Sequence, residues 1–253
     1  YRAEYNPNES DTPSNKGQHS ELLNFYDLCN EAINIVIIGI GGSFEGPKML
    51  LENLELNQAD NNFIFITGSD LSEFRIKTNK LRPEDTIFLV LSKSFVTQET
   101  ISLLEEAIFW SGDINKFVAI TANKEEAKKF NIKCILEFDD QIGGRYSIWS
   151  EISVLIKWLS KESFDNFMAG GKQADNDLKD NEDYLKFVKT LAYSDIWLHN
   201  YKNKNSRAIL SYIWCWRSFP DYIQQLEMES LGKQPDINSK YKKTGQIIFG
   251  GYG

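Results

Sequence analysis

Gln225 and Glu229 stand four residues apart in Gln225-Leu226-Glu227-Met228-Glu229-Ser230. On a helix that spacing puts both side chains on one face, and Gly232 marks the helix end nearby. A carboxylate at such an end, turned into a cleft, can take a proton from carbon and return it. Glu227 points off that face and serves as the internal contrast. A second segment, Gly143-Gly144-Arg145-Tyr146-Ser147, sets a guanidinium after two glycines, where it can stabilise negative charge developing on an oxygen. In a third, Ser92-Lys93-Ser94-Phe95-Val96-Thr97, the hydroxyls of Ser92, Ser94 and Thr97 and the cation of Lys93 precede a helix opening near Thr97 to Thr100. Helix amino termini attract anions through unpaired N–H groups and the macrodipole. A monophosphate, with about two negative charges and several acceptor oxygens, suits such a loop. The fourth, Gly39-Ile40-Gly41-Gly42-Ser43, lets backbone approach a ligand without an intervening Cβ. Taken singly, each has a plainer explanation: a solvated helix charge, a structural arginine, a capping cluster and a packing turn.

The elements that must hold these segments are short apolar runs alternating with helical stretches. Ile35 to Ile40, Phe63 to Thr67, Thr86 to Leu91, Phe117 to Thr121 and Cys134 to Phe138 read as strands. Runs so continuously apolar, separated by helices, predict a parallel sheet covered on both faces, hence an α/β doubly wound fold. The last three segments of the preceding paragraph other than the acid follow such runs, at the rim where open α/β sheets bind ligands. After Arg145 the spacing of Ile148, Ile152, Leu155 and Leu159 predicts one amphipathic helix, and Asp177 to Asn200 predicts another long one, a bridge. Arg207 to Tyr212 (strand), Phe219 to Glu229 (helix, Pro220 in its first turn) and Gln246 to Phe249 (strand) then begin a second α/β unit. Tyr1 to Ser20 is polar, without apolar period, and reads as loop. The expected organisation is a polar leader (1–30), a first domain (31–175), a linking helix (176–204) and the start of a second domain (205–253).

Composition removes other classes. With 253 residues, 42% of them hydrophobic, the chain can bury a sizeable core. Its apolar runs fall far short of the roughly 20 residues of a membrane helix. A formal charge of −8 argues against nucleic-acid backbone binding, which rests on clustered Lys and Arg. Cys29, Cys134 and Cys215 are odd in number and widely spaced, which suggests neither a disulfide framework nor a zinc site and points to a reducing cytoplasm. His19 and His199 lack partners at metal-ligand spacing, so no metal is expected. Tyr212, Trp214, Trp216 and Phe219 read as core or subunit contact. The dinucleotide fingerprint needs glycine where Phe44 stands, and the Walker pattern fails at Gly46-Pro47, which counts against a nucleotide-binding Rossmann module.

In order and content the four segments resemble those of the glucose-6-phosphate isomerase family, built from two sugar isomerase domains, from about Ile33 to the end of the sequence. The resemblance implies that Gly42 and Ser43 hold the sugar and that Ser92, Lys93, Ser94 and Thr97 hold the phosphate. It implies further that Arg145 stabilises the charge of the intermediate, Glu229 moves the proton and Gln225 lines the site. The implied reaction interconverts D-glucose 6-phosphate and D-fructose 6-phosphate through a cis-enediol(ate), in a homodimer that needs neither metal nor nucleotide cofactor. Ser94 stands where the family usually has Thr, and Leu231 where it commonly has Asn. The family's ring-opening histidine and its C-terminal catalytic lysine have no counterpart in these residues, so little turnover is expected of this chain by itself. A non-catalytic sugar-phosphate-binding module on the same scaffold is the alternative; it gives no reason for the placing of Gln225 and Glu229.

Overall fold

The computed structural model of the chain describes residues 13–53, 61–233 and 245–253. Within them, α1 (Pro13–Glu31) leads to β1 (Asn34–Gly39), α2 (Glu45–Asn53), β2 (Asn62–Ile66), α3 (Leu71–Thr78), β3 (Thr86–Leu91), α4 (Gln98–Ser111), β4 (Phe117–Thr121), α5 (Lys124–Lys128) and β5 (Cys134–Glu137). The five strands form one parallel sheet in the order β2-β1-β3-β4-β5. From β1 the chain winds outward to β2, then crosses back to place β3 on the other flank of β1. That reversal opens a crevice at the carboxyl ends of β1 and β3, where doubly wound sheets take their ligands.

Alternation along each strand divides the core in two. Ile35, Ile37, Ile87, Leu89, Val118 and Ile120 face a cluster completed by α1, α2 and α6 (Val154–Leu159). Val36, Ile38, Phe88, Val90, Phe117 and Ala119 face the opposite cluster, completed by Phe74 of α3 and Leu103 and Leu104 of α4. Burying an Ile, Leu or Phe side chain this completely stabilises by about 1.5–3 kcal/mol each, which is why β1, β3 and β4 carry no polar residue in mid-strand. Burial pushes the Cys134 thiol up to about 12 and raises that of Cys29 as well, so both behave as apolar core residues.

Beyond the sheet come α7 (Lys161–Asp180), α8 (Glu182–Ile196) and a π-helical turn (Trp197–Tyr201), then β6 (Ser206–Ser211), α9 (Phe219–Leu231) and β7 (Ile247–Tyr252). β6 and β7 pair in parallel with α9 as their crossover. Gln224 Nε2 donates to the Ile248 carbonyl at 2.7 Å and ties α9 to β7. Trp216, Phe219 and Tyr222 pack against the first sheet's core and bring α9 over the crevice.

Several sequence expectations are corrected. The loop reading of residues 1–20 falls partly outside the described residues, but from Pro13 onward the chain is helical; Phe25 and Cys29, both fully buried, anchor that helix to the sheet. The single helix expected after Arg145 is two 3-10 turns (Gly144–Trp149 and Glu151–Ser153) followed by α6. Serine hydroxyls account for the interruption: Ser150 Oγ donates to the Ser147 carbonyl at 2.6 Å and Ser153 Oγ to the Ile148 carbonyl at 2.8 Å, side-chain bonds that compete with regular helix. Ile148, Ile152 and Leu155 are buried all the same. The helix expected over Asp177 to Asn200 breaks at Asn181, whose side chain accepts from Tyr184 N at 3.1 Å and caps α8. Trp216 and Phe219 meet the core reading, whereas Tyr212 and Trp214 are exposed.

Candidate functional site

Loops from the carboxyl ends of four strands and the far end of α9 enclose a cleft of about 730 Å³. Gly42 and Ser43 follow β1; Ser92, Lys93, Ser94 and Thr97 follow β3; Glu229 closes the cleft from α9. The acid and the hydroxyl-rich loop, 132 to 137 positions apart in sequence, therefore face one space.

The loop after β3 is not a capping cluster. Thr97 has the extended backbone of an N-cap to α4, but its side chain makes no capping bond. Its hydroxyl lies 3.5 Å from Ser94 Oγ and is exposed. The amino terminus of a helix 14 residues long thus opens toward the cleft with its first N–H groups uncapped by a side chain. Phe95, with its side chain buried, holds a left-handed backbone at φ 54°, a conformation that costs a residue with a bulky side chain free energy and clusters at functional loops. Ser92 Oγ accepts from Phe95 N at 3.1 Å and supports this turn. Among the described residues no carboxylate pairs with Lys93.

Arg145 and Gln225 are not among the residues that line the cleft; both bind Glu229, which does. Arg145 Nη1 donates to Glu229 Oε1 at 2.7 Å, and Gln225 Nε2 donates to Glu229 Oε2 at 2.5 Å. Both carboxylate oxygens are held, each from a different side, which fixes the carboxylate plane. The Arg145 guanidinium also lies over the Tyr146 ring at 5.9 Å. Two buried polar atoms beside the acid have no partner among the described residues: Arg145 Nε, a donor, and Gln225 Oε1, an acceptor. Glu227, two positions from Glu229, instead bonds Arg207, which also takes Asp195 at 2.8 Å, so it faces away from the cleft as its helix position predicts.

The arginine segment is locked to the glycine loop. Ser147 Oγ is 3.0 Å from the Gly42 carbonyl and 2.7 Å from the Gly144 carbonyl. A Cβ on Gly42 would overlap the Gly144 carbonyl oxygen, so only glycine allows the two loops to touch. Gly41 takes φ +58°, the left-handed region that glycine occupies without strain. Sequence reasoning missed Thr100, Asn123 and Asp140, which also line the cleft. Asn123 and Asp140 lie just past the carboxyl ends of β4 and β5, so the rim rule that found the other loops would have found them too.

Residues 27–253 match the family model described as phosphoglucose isomerase. The chain belongs to the phosphoglucose isomerase family. It is 34% identical over 229 residues to a glucose-6-phosphate isomerase of Christiangramia forsetii, a match spanning 86% of this chain and 42% of that protein. It is 36% identical over 236 residues to a glucose-6-phosphate isomerase of Neurospora crassa, spanning 86% of this chain and 41% of that one. A crystal structure of a glucose-6-phosphate isomerase from Chlamydia trachomatis superposes with a TM-score of 0.79 at 25% identity, over 94% of this chain and 48% of that one. The phosphoglucose isomerase relatives are thus longer: the chain spans about two fifths of the curated ones it matches. Among the described residues no helix is long and apolar enough to cross a membrane.

Proposed function

We propose that the full-length protein interconverts D-glucose 6-phosphate and D-fructose 6-phosphate. The observation that carries this reading is that Glu229 lines the same cleft as Ser92, Lys93, Ser94 and Thr97. A cleft of about 730 Å³ suits a hexose monophosphate, since small-molecule sites commonly measure about 300–1,000 Å³.

The phosphate group sits at the amino terminus of α4, with its charge met by Lys93, the helix dipole and the hydroxyls of Ser92, Ser94 and Thr97. The sugar then extends along Gly42 and Ser43 toward α9. Glu229 takes the proton from C2 and returns it to C1 of the cis-enediol(ate), so the carbonyl and hydroxyl exchange places with no net change in oxidation state. Arg145 stabilises the negative oxygen that exists between the two transfers. Arg145 and Gln225 hold the two oxygens of the Glu229 carboxylate in place for both transfers. The reaction belongs to glycolysis and gluconeogenesis in the cytoplasm, is carried out by a homodimer and requires neither metal nor nucleotide.

The test is turnover. The full-length protein incubated with fructose 6-phosphate, with glucose 6-phosphate read by a coupled dehydrogenase, should show saturable conversion. Saturable binding of fructose 6-phosphate without conversion would replace this reading with that of a sugar-phosphate sensor.

A further inference from the structure

Helix α9 carries Gln225 at its middle and Glu229 near its far end, while its near end is joined to α2 by directional polar contacts. Ser218, buried just ahead of α9, makes no capping bond to that helix; its hydroxyl donates to Glu52 Oε2 on α2. A serine in this place ordinarily accepts from an N–H of the first turn. Here that local bond gives way to one between residues 166 positions apart. Arg217 Nε lies 3.4 Å from the same Glu52 oxygen. A turn earlier on α2, Lys48 Nζ stands 3.8 Å from Asp221 Oδ2, a looser and more exposed pair. At its own beginning α2 follows Gly41–Ser43, the turn that lines the cleft. One helix therefore touches both the sugar-side loop and the root of the helix that bears the acid.

Trp216, Phe219 and Tyr222 hold α9 against the first core, but apolar contact is non-directional and leaves tilt and axial position loosely set. A charge-assisted hydrogen bond with both partners mostly out of water does not. We infer that Glu52 is a positioning residue: by gripping Ser218 and Arg217 it sets the tilt of α9 and so the place of Glu229 in the cleft. The inference rests on the isomerase reading for its catalytic consequence. Ser218 and Glu229 are 11 residues apart, about 16 Å along a helix at 1.5 Å per residue. A tilt of about 5° at the anchor moves the far end by about 1.4 Å, and a displacement of about 1 Å can lower a rate about a hundredfold.

The experiment uses the full-length protein and the variants Glu52→Ala, Ser218→Ala, Glu52→Gln and Asp221→Asn. Glu52→Ala and Ser218→Ala should lower kcat at least about thirtyfold with KM for fructose 6-phosphate within about twofold, because the phosphate loop belongs to β3. Glu52→Gln, whose amide oxygen still accepts from Ser218, should recover most of the loss. Asp221→Asn, which removes the looser pair, should stay within about twofold of the parent. A crystal structure of Glu52→Ala should show the Glu229 carboxylate displaced from Arg145 by about 1 Å or more. Should Glu52→Ala not fold, Ser218→Ala carries the same test. Unchanged kcat, or an unmoved Glu229 with losses that track thermal stability, overturns the inference and leaves the isomerase reading intact. A parent protein that binds fructose 6-phosphate without converting it sinks that reading instead, and the position of Glu229 in the variant crystal then decides the inference.

Discussion

Arg145 Nη1 and Glu229 Oε1 meet at 2.7 Å across 84 positions of sequence, and the arginine is the less exposed partner, at 17% against 49%. In the proposed reaction this arginine both orients the base and stabilises the charge developing beside it, so it should tolerate replacement poorly. Arg145→Ala should lower kcat about 10²–10³-fold, the usual cost of removing one donor from a developing oxyanion. Arg145→Lys should recover little of this, because an ammonium lacks the planar fork that carries Nη1 to Glu229 in a fixed direction. Steady-state kinetics of the two variants in the full-length protein decide it; a lysine variant with parental kcat would show that charge alone suffices.

Gly42 is where the glycine loop and the arginine loop touch backbone to backbone. Gly42→Ala should destabilise by about 1–3 kcal/mol, the cost of overpacking, because the neighbour is a carbonyl and not a flexible side chain. It should also push Arg145 away from Glu229. Urea denaturation measures the first effect and kcat the second; parental values of both would mean that the loops part without cost.

Thr97 separates ligand binding from helix capping. Its hydroxyl makes no capping bond, so Thr97→Val should leave stability within about 0.5 kcal/mol of the parent. Affinity for fructose 6-phosphate should fall about tenfold, as expected for the loss of one charge-assisted hydrogen bond worth about 1.5 kcal/mol. Calorimetric titration and thermal melting check the pair. A destabilised variant with full affinity would identify the residue as a cap.

Glu45 gives the pH dependence of stability a definite sign. Burial pushes its carboxyl above the ordinary range, with Lys48 opposing the rise and Asp221 and Glu52 adding to it; Oε2 is buried without a partner among the described residues. In the window between the ordinary value and the raised one, the folded state holds a proton that the unfolded state releases. Its contribution is therefore fully present below the ordinary value and is lost as pH climbs through the raised one. Glu45→Gln should raise Tm at about pH 7, and the advantage should shrink toward about pH 3, where both states are protonated. An advantage that widens on acidification would contradict this.

Much of the first sheet was legible because its strands are buried on both faces. Thr86–Leu91 and Phe117–Thr121 stand out as unbroken apolar runs, and the observed strands coincide with them. The rim loops follow from where those runs stop. Asn181 was also legible in principle, since Asn followed by Glu182 and Asp183 is a helix-start signal, but the apolar spacing on either side of it masked the break. The 3-10 turns after Arg145 were not, because Ser147 Oγ reaches Gly42 across 105 positions, and no local spacing shows a bond made across the fold. The same holds for the bond between Glu52 and Ser218 and for the convergence of Gln225 and Arg145 on the two oxygens of Glu229.

The role proposed for Glu229, moving a carbon-bound proton, is tested most directly by isotope exchange. Fructose 6-phosphate or glucose 6-phosphate incubated in D₂O with the full-length protein should gain deuterium at the carbon that loses its proton, as read by NMR. In Glu229→Gln that exchange should fall about 10²–10⁴-fold, the span that a positioned general base contributes. Binding of the sugar phosphate should survive, since the loop after β3 is untouched. Exchange at the parental rate in Glu229→Gln would contradict the assignment of this carboxylate as the base.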